Sequence, residues 1–456
     1  MPSTSIEFGG VGYRRWAIDR AVQMSWIVVF LPTTWTCGTL DESDFGRAPP
    51  ALVVEESRAG FSDVVGLGDA DQERSSFRVS ELPRLQIGSV DGDESSFFRI
   101  ADVTRLQDGR FLVANAGSGE LKFFDPRGGF LRSFGRRGEG PGEFRNLKKV
   151  VEWESGGIAA FDVGLGRVTV LSGDGELERT YDVTRKLGEA GISTDIFGFL
   201  PNGNLVGLRE VGGEGTEVVY GTSERRLIFK SPIVQPVLID TAGRAIPFGR
   251  PMPGDEVLSE VESSMVGGRI GLSGVGQVPF PFLKSAMVAV RGDLIAVGQT
   301  SRALPIFLYS SRGRTIAGFG RAPVRTEDRR TQESWVDEWL TDTAAPGERR
   351  EWRQLYKAFI SSTSAPATIP AFRSLFVQAG EKIWAEVYDP TVTEDASSRW
   401  DVFAPTGRLS DVWTAVLPPR FRPHEIGSDY VLGVWKDELG IEYVRVYDLI
   451  EVPPGG

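Results

Sequence analysis

The residues able to carry catalysis or hold a ligand are few, and their scarcity excludes whole classes of chemistry. The chain has 456 residues but one histidine, His424, and one cysteine, Cys37. A zinc site of thiolates or of several histidines cannot be assembled from these, and neither can an intrachain disulfide. Oxygen ligands are plentiful. Asp102, Glu152, Asp195 and Glu425 fall on or near strands expected to converge on a common axis, where their carboxylates could hold calcium. His424, in the run RFRPHEIG, reads most simply as a partly buried strand residue with a hydrogen-bond partner. No nucleophile elbow, paired-carboxylate motif or nucleotide fingerprint occurs.

A second pattern couples an aromatic residue to a base. It appears as Phe98-Arg99, Phe144-Arg145, Phe372-Arg373 and Phe421-Arg422, and is approximated by Phe282-Leu283-Lys284. Each copy stands where an apolar strand begins. Arg99, Arg145, Lys284, Arg373 and Arg422 could therefore ring the mouth of a channel and bind an anionic ligand. The competing reading pairs each base with an acidic neighbour, since 62 Asp and Glu face 51 Lys and Arg.

Such residues need elements to position them, and internal repeats supply the elements. The segments LQDGRFLVANA, EWESGGIAAFDV, LPNGNLVGL, VRGDLIAVG and QAGEKIWAEV share one pattern of strand, glycine turn and apolar strand. Their turn glycines, Gly109, Gly156, Gly203, Gly292 and Gly380, are followed by Gly427 in a sixth copy, IGSDYVLGVW. The spacings of 47, 47, 89, 88 and 47 residues follow from those positions, and two doubled gaps mean one repeat plus an insertion. A period in this range belongs to propeller blades. IADVTRL, RFLVANA, ELKFFDP and GFLRSFG are four alternating runs divided by DG, GSG and PRGG turns, which makes one four-stranded antiparallel blade. In the third copy TEVVYGTSERRLIFK stands in for the later strands.

The fold expected is therefore all-β, a six-bladed β-propeller over 81–456 with a small helical insertion. The sixth copy runs out after three strands, so the segment Leu85 to Gly88 is expected to complete the last blade and close the ring. Insertions fall at about 231–284, read as extended Pro/Gly-rich loop, and at about 325–365. Within the latter, Glu327 to Ile360 has a helical pattern broken near Ala345 to Gly347. Trp335, Val336, Trp339 and Leu340 share one side of its first helix, and Trp352, Leu355, Tyr356 and Phe359 one side of its second. Those aromatics pack the hairpin onto the propeller or offer a lid or docking surface.

The glycine-rich run FGRRGEGPGEF, residues 134–144, opens no helix, so it reads as a link between blades and not as a phosphate cradle. It resembles the blade-linking segment of NHL-repeat propellers. The stretch 81–450, including IGSDYVLGVWKDELGIEYVRVYDL, is similar to bacterial exported six-bladed propellers of the NHL-repeat and TolB-like kind. The resemblance implies a fold and an exported protein, and it is silent on activity.

Residues 1–37 read as a targeting segment. Arg14, Arg15 and Arg20 precede an apolar run from Ala21 to Leu31 that is short for a membrane span, and Cys37 stands where a lipoprotein signal would leave a lipidated cysteine. Residues 38–80, rich in Asp, Glu, Ser, Gly and Pro, read as a flexible tether. The net charge of −11 makes nucleic acid a poor partner. The leading functional expectation is a monomeric, non-enzymatic binding or scaffold module, periplasmic, outer-membrane-anchored or extracellular. It would recognise a protein, peptide, glycan or anionic ligand on its insertion-bearing face, touch membrane only through the lipid anchor, and need no cofactor. The alternative is a metal-dependent hydrolase of the lactonase-like six-bladed type with calcium on the carboxylates named above.

Overall fold

Residues 76–452 are described in the computed structural model, apart from 91, 154–155, 184–195, 220–224, 267–268, 278–279, 281–282, 301–305, 320–328, 344–346, 348, 362–369, 390–394 and 405–411. Cys37, the targeting segment, the tether as far as residue 75, and Asp195 lie outside the described residues. All that is described belongs to one unit, Val64–Gly456.

After β1 (Ser76–Val79) and β2 (Leu85–Ile87), the chain lays down a succession of antiparallel sheets. The first holds β3 (Ile100–Arg105), β4 (Phe111–Asn115), β5 (Glu120–Phe124) and β6 (Phe130–Phe134). The second holds β7 (Leu147–Glu152), β8 (Ile158–Asp162), β9 (Arg167–Leu171) and β10 (Leu177–Asp182). In the third, β11 (Ile196–Phe199) pairs with β12 (Leu205–Val219), and β12 with β13 (Arg225–Ile239). The short β14 (Ala245–Pro247) and β15 (Met252–Pro253), then β16 (Val257–Val266), all pair with β13, and β17 (Arg269–Gln277) pairs with β16. The fourth is β18 (Ala286–Arg291), β19 (Leu294–Gln299), β20 (Ile306–Ser310) and β21 (Thr315–Phe319). Two helices follow, α1 (Arg329–Thr343) and α2 (Arg349–Ser361). The fifth sheet is β22 (Phe372–Val377), β23 (Ile383–Val387), β24 (Ser398–Phe403) and β25 (Val412–Leu417). The last is β26 (Phe421–Ile426), β27 (Tyr430–Lys436) and β28 (Glu442–Val452), with β2 antiparallel to β28 as Leu85↔Val446 and Ile87↔Val444, while β1 runs parallel to β25 and antiparallel to the end of β28 and so joins the fifth and last ladders. Repeated four-stranded antiparallel sheets of this kind are the architecture of a β-propeller.

Sequence dictates why each strand sits where it does. β4, FLVAN, is apolar almost throughout and buried at every position. Its alternation sends Phe111 and Val113 against Leu432, Val434, Val444 and Val446 of the last sheet, and Leu112 and Ala114 against Leu147, Val150, Ile158 and Ala160 of the second. A strand covered on both faces must be apolar on both, and each large side chain so buried contributes roughly 1.5–3 kcal/mol. The same logic joins second to third sheet through Phe161 and Phe199, fourth to fifth through Leu308 and Leu375, and fifth to last through Trp384, Trp400 and Tyr447. Turns between first and second strands need a left-handed residue, and glycine fills the place: Gly109 has φ 89° and Gly380 φ 95°.

The third sheet departs from the sequence expectation. Residues 231–284 are not irregular loop. β12 and β13 run on as one long hairpin, and β16 and β17 extend the sheet beyond it. The third repeat's central strands are thus completed by residues 234–239, while 216–219 and 225–230 lie toward the hairpin's far end. Glycines such as Gly212, Gly213 and Gly215 inside β12 hide the strand pattern, because they carry no alternation. The helical hairpin follows the expected spacing. Val336, Leu340, Leu355, Tyr356 and Phe359 are buried against Leu227, Phe229 and Leu258, so the two insertions pack on each other. No helix among the described residues is long and apolar enough to cross a membrane.

Candidate functional site

The first strands of the sheets lie beside one another, β26 against β3, β3 against β7, β11 against β18 and β18 against β22. Backbone pairing gives them a common register: Ile100, Leu147, Ala286, Phe372 and Phe421 each open the ladder with the second strand. Two positions further on, the side chains diverge in chemistry. Asp102 and Lys149 stand there in β3 and β7, Gly198 and Val288 in β11 and β18, and Ser374 in β22.

Asp102 is the centre of a charged cluster spanning three sheets. Its Oδ1 lies 2.9 Å from His424 Nδ1 on β26, Lys149 Nζ on β7 donates to it at 3.2 Å, and Oδ2 accepts the Val150 N–H at 3.0 Å. Burial alone would raise the pKa of Asp102, but the Lys149 ammonium, the His424 hydrogen bond and the Val150 N–H outweigh it and hold the carboxyl below its usual value. For His424 burial wins. Loss of hydration pushes the imidazole down to about 4 despite the Asp102 hydrogen bond, with Arg422 and Lys149 adding to the depression. The ring is neutral at pH 7, Nδ1–H donates to Asp102, and the buried Nε2 has no hydrogen-bond partner among the described residues. His424 reaches Asp102 because a bulge between Pro423 and Glu425 makes it the extra residue of its strand.

One step along the strand, Glu425 collects four donors from three sheets. Oε2 accepts Thr104 Oγ1 at 2.8 Å and the Arg105 N–H at 2.9 Å, while Oε1 accepts Arg291 Nη2 at 3.2 Å and the Tyr430 hydroxyl. Arg291 belongs to β18 of the fourth sheet, so this ion pair passes over the fifth sheet entirely. Tyr430 is pushed up to about 12 by burial and by Glu425, and the Arg105 guanidinium rests 5.2 Å from its ring centroid. Glu152 accepts the Gln107 N–H at 2.8 Å, and burial, with Asp108 and Glu425 nearby, raises its pKa.

These bonds test the carboxylates as a cation site. Asp102 faces an ammonium, Glu425 a guanidinium and two hydroxyls, and Glu152 a backbone N–H, so each of the three carboxylates is engaged by protein donors. Carboxylates so engaged do not fit calcium, and no group of three metal-ligating residues gathers among the described residues, which do not include Asp195.

The five bases occupy three register levels. Arg99 immediately precedes the first ladder residue of its sheet, Arg145 and Lys284 stand one position earlier, and Arg373 and Arg422 come one after the ladder begins. Phe282 lies outside the described residues. Arg145 pairs with Glu139 at 3.3 Å, Lys284 with Glu256 at 3.7 Å and Arg373 with Glu386 at 3.8 Å, while Arg422 Nη2 donates to the Ile100 carbonyl at 3.1 Å. The Arg99 guanidinium makes no hydrogen bond or ion pair among the described residues. Sequence reasoning passed over Lys149, Arg291 and Tyr430. Only the bulge and the sheet order bring them to Asp102 and Glu425, and neither leaves a mark in a linear pattern.

The glycine-rich run 134–144 is tied down by its own neighbours. Arg167 donates to the carbonyls of Glu139 at 2.9 Å and Glu143 at 2.6 Å, and the Glu143 carboxylate accepts the Gly140 N–H at 2.8 Å.

No family model matches the chain, and no curated protein does. Solved structures similar to it include a putative exported protein from Bacteroides fragilis, at 14% identity over 81% of this chain and 98% of that one, with a TM-score of 0.42. A member of the DUF4221 family from Bacteroides vulgatus shares 7% identity over 84% and 100%, with a TM-score of 0.44. A calcium-binding protein, regucalcin, from Agrobacterium tumefaciens shares 11% over 83% and 99%, at 0.31. Likenesses this distant carry nothing about activity or ligand.

Proposed function

We propose that the chain is an exported six-bladed propeller of the NHL-repeat kind, closed by β2. In this reading it is a non-enzymatic binding module of the cell envelope. It engages a protein or peptide partner, or another anionic ligand, on the face where the first strands begin and the insertions emerge. The observation that carries it is the use to which the polar first-strand residues are put. Asp102, Lys149, His424, Glu425 and Arg291 bond to one another across sheets, which consumes the groups a hydrolase would need free to hold a metal or activate water. Six repeats of the ladder, with β2 as fourth strand beside β28 and the last sheet's Val434 and Val446 packed on Phe111 and Val113, support the count and the closure. What remains available is the rim, where the long hairpin and the helices add surface.

Cross-linking mass spectrometry on the full chain in its native envelope tests this. Partner cross-links should map to Lys148, Lys284 and the insertions. Cross-links confined to the turns between first and second strands, at the other end of the sheets, would contradict it.

A further inference from the structure

We propose that β1 and the end of β28 form a ribbon that lifts off the fifth sheet, and that the β25 edge beneath it accepts an extended peptide carrying one aromatic side chain. The site lies on the fourth strand of its sheet, at the opposite edge from the first strands on which the reading above depends, so either stands without the other.

The ribbon draws on both ends of the fold. The ladder between β27 and β28 stops at Tyr430↔Asp448, and β28 runs on to Val452. That overhang pairs with β1, from Ser76↔Val452 to Val79↔Leu449, and with no other strand among the described residues. β1 in turn meets β25 in a parallel ladder of two register pairs, Ser76↔Thr414 and Phe77↔Ala415. Parallel pairs are the weaker kind, and two are few. The connection from β1 to β2 gives the ribbon a hinge: Ser80 Oγ accepts the Asp448 N–H at 3.0 Å, and the Ser80 N–H donates to the Asp448 carbonyl at 3.0 Å, so both strands leave the last sheet at one point.

One side chain does most of the fastening. Phe77 is 5% exposed, while Arg78 beside it is exposed and Ser76 and Val79 are half-buried. The Phe77 ring centroid lies 5.2 Å from that of Trp384 and 6.4 Å from that of Trp413, and Lys382 Nζ stands 5.2 Å from the Phe77 ring and 5.0 Å from the Trp413 ring. Leu449, next to the hinge, joins the same core. Lys382 also pairs with Glu451 of the overhang at 2.9 Å, a partly exposed contact of small worth. A segment held in this way opens more readily than β27, which is buried from Tyr430 to Val434.

Lifting bares the backbone groups of β25 that face β1, together with the Trp384 and Trp413 rings and the Lys382 ammonium. An unpaired strand edge takes up an extended peptide as a further strand, and a pocket of rings and one ammonium selects an aromatic side chain. The chain's own Phe77 shows the fit.

The test is a fluorescence anisotropy titration of the full chain with a fluorescein-labelled peptide of the sequence of residues 75–80, SSFRVS. A Phe77→Ala chain, its ribbon loosened, should bind the peptide at least about tenfold more tightly than the wild type, whose own Phe77 competes. The same peptide with alanine in place of phenylalanine should not bind, and adding Lys382→Ala to Phe77→Ala should weaken binding. Arg78→Ala, at an exposed side chain of β1, should leave the wild-type affinity unchanged. A Phe77→Ala chain that binds the peptide no more tightly than the wild type would overturn the slot. Hydrogen exchange reads the ribbon without any substitution: in the wild type, residues 76–79 and 450–452 should exchange at least about tenfold faster than 85–87 and 444–446, with a weaker dependence on urea. Equal rates with equal urea dependence would overturn the lifting.

Discussion

The first strands of the last, first and second sheets bury charge against charge, whereas β11 of the third and the run of β18 that precedes Arg291 bury apolar side chains and backbone. In the polar arc Asp102 is shared by Lys149 and His424, and Glu425 by four donors. In the apolar arc Gly198 lies so close to β18 that a Cβ there would stand 2.6 Å from Val290 Cβ. The difference teaches that one architecture is joined by two kinds of contact. Hydrogen-bonded charges demand particular partners and respond to pH; close-packed small residues demand volume and do not.

The largest effect should come from breaking the polar arc. Asp102→Ala leaves Lys149 and His424 without their shared carboxylate, and should cost about 3–5 kcal/mol in urea unfolding. Acid should probe the same arc nearly as strongly. The unfolded imidazole takes up its proton near pH 6.5 but the folded His424 only near 4, so between these values the unfolded chain holds more protons and stability falls as pH falls. The full loss is roughly 3 kcal/mol, and a His424→Phe variant should flatten the profile in that window. Asp102 acts lower down: its folded carboxyl lies below 3.8, so the stability it lends is lost as pH falls through that folded value and steepens acid unfolding there.

The apolar arc should answer to volume instead. Gly198→Ala is expected to cost about 1–3 kcal/mol, with no change in pH dependence, and Val290→Ala in the same chain should restore part of it. Additive losses in that double variant would show that the two strands do not meet as described. The smallest effect is expected at the rim, where Arg145→Ala breaks an exposed pair with Glu139 and should shift stability by less than about 0.5 kcal/mol.

Much of the frame was legible because it is periodic. Turn glycines at a fixed spacing mark where each first strand hands over to the second, and Gly109, Gly156, Gly203, Gly292 and Gly380 all have the positive φ such a turn requires. The pairing of Leu85–Ile87 with β28 was legible from a strand left over, and the helical hairpin from its aromatic spacing. The long β12–β13 hairpin was not, since glycine erases the alternation that announces a strand. The site was least legible of all. Asp102, Glu425 and His424 could be singled out as polar residues on first strands, but a one-residue bulge decides which of them meet, and the same slips spread Arg99, Arg145 and Arg373 over three levels where a linear motif puts them on one.

The claim on which the account turns is that the polar arc joins sheets and does not hold a metal. Native mass spectrometry of the full chain in excess calcium tests it most directly. The account predicts a spectrum without a stoichiometric ion, unchanged by Asp102→Asn or Glu425→Gln; one calcium per chain, lost in either variant, would contradict it.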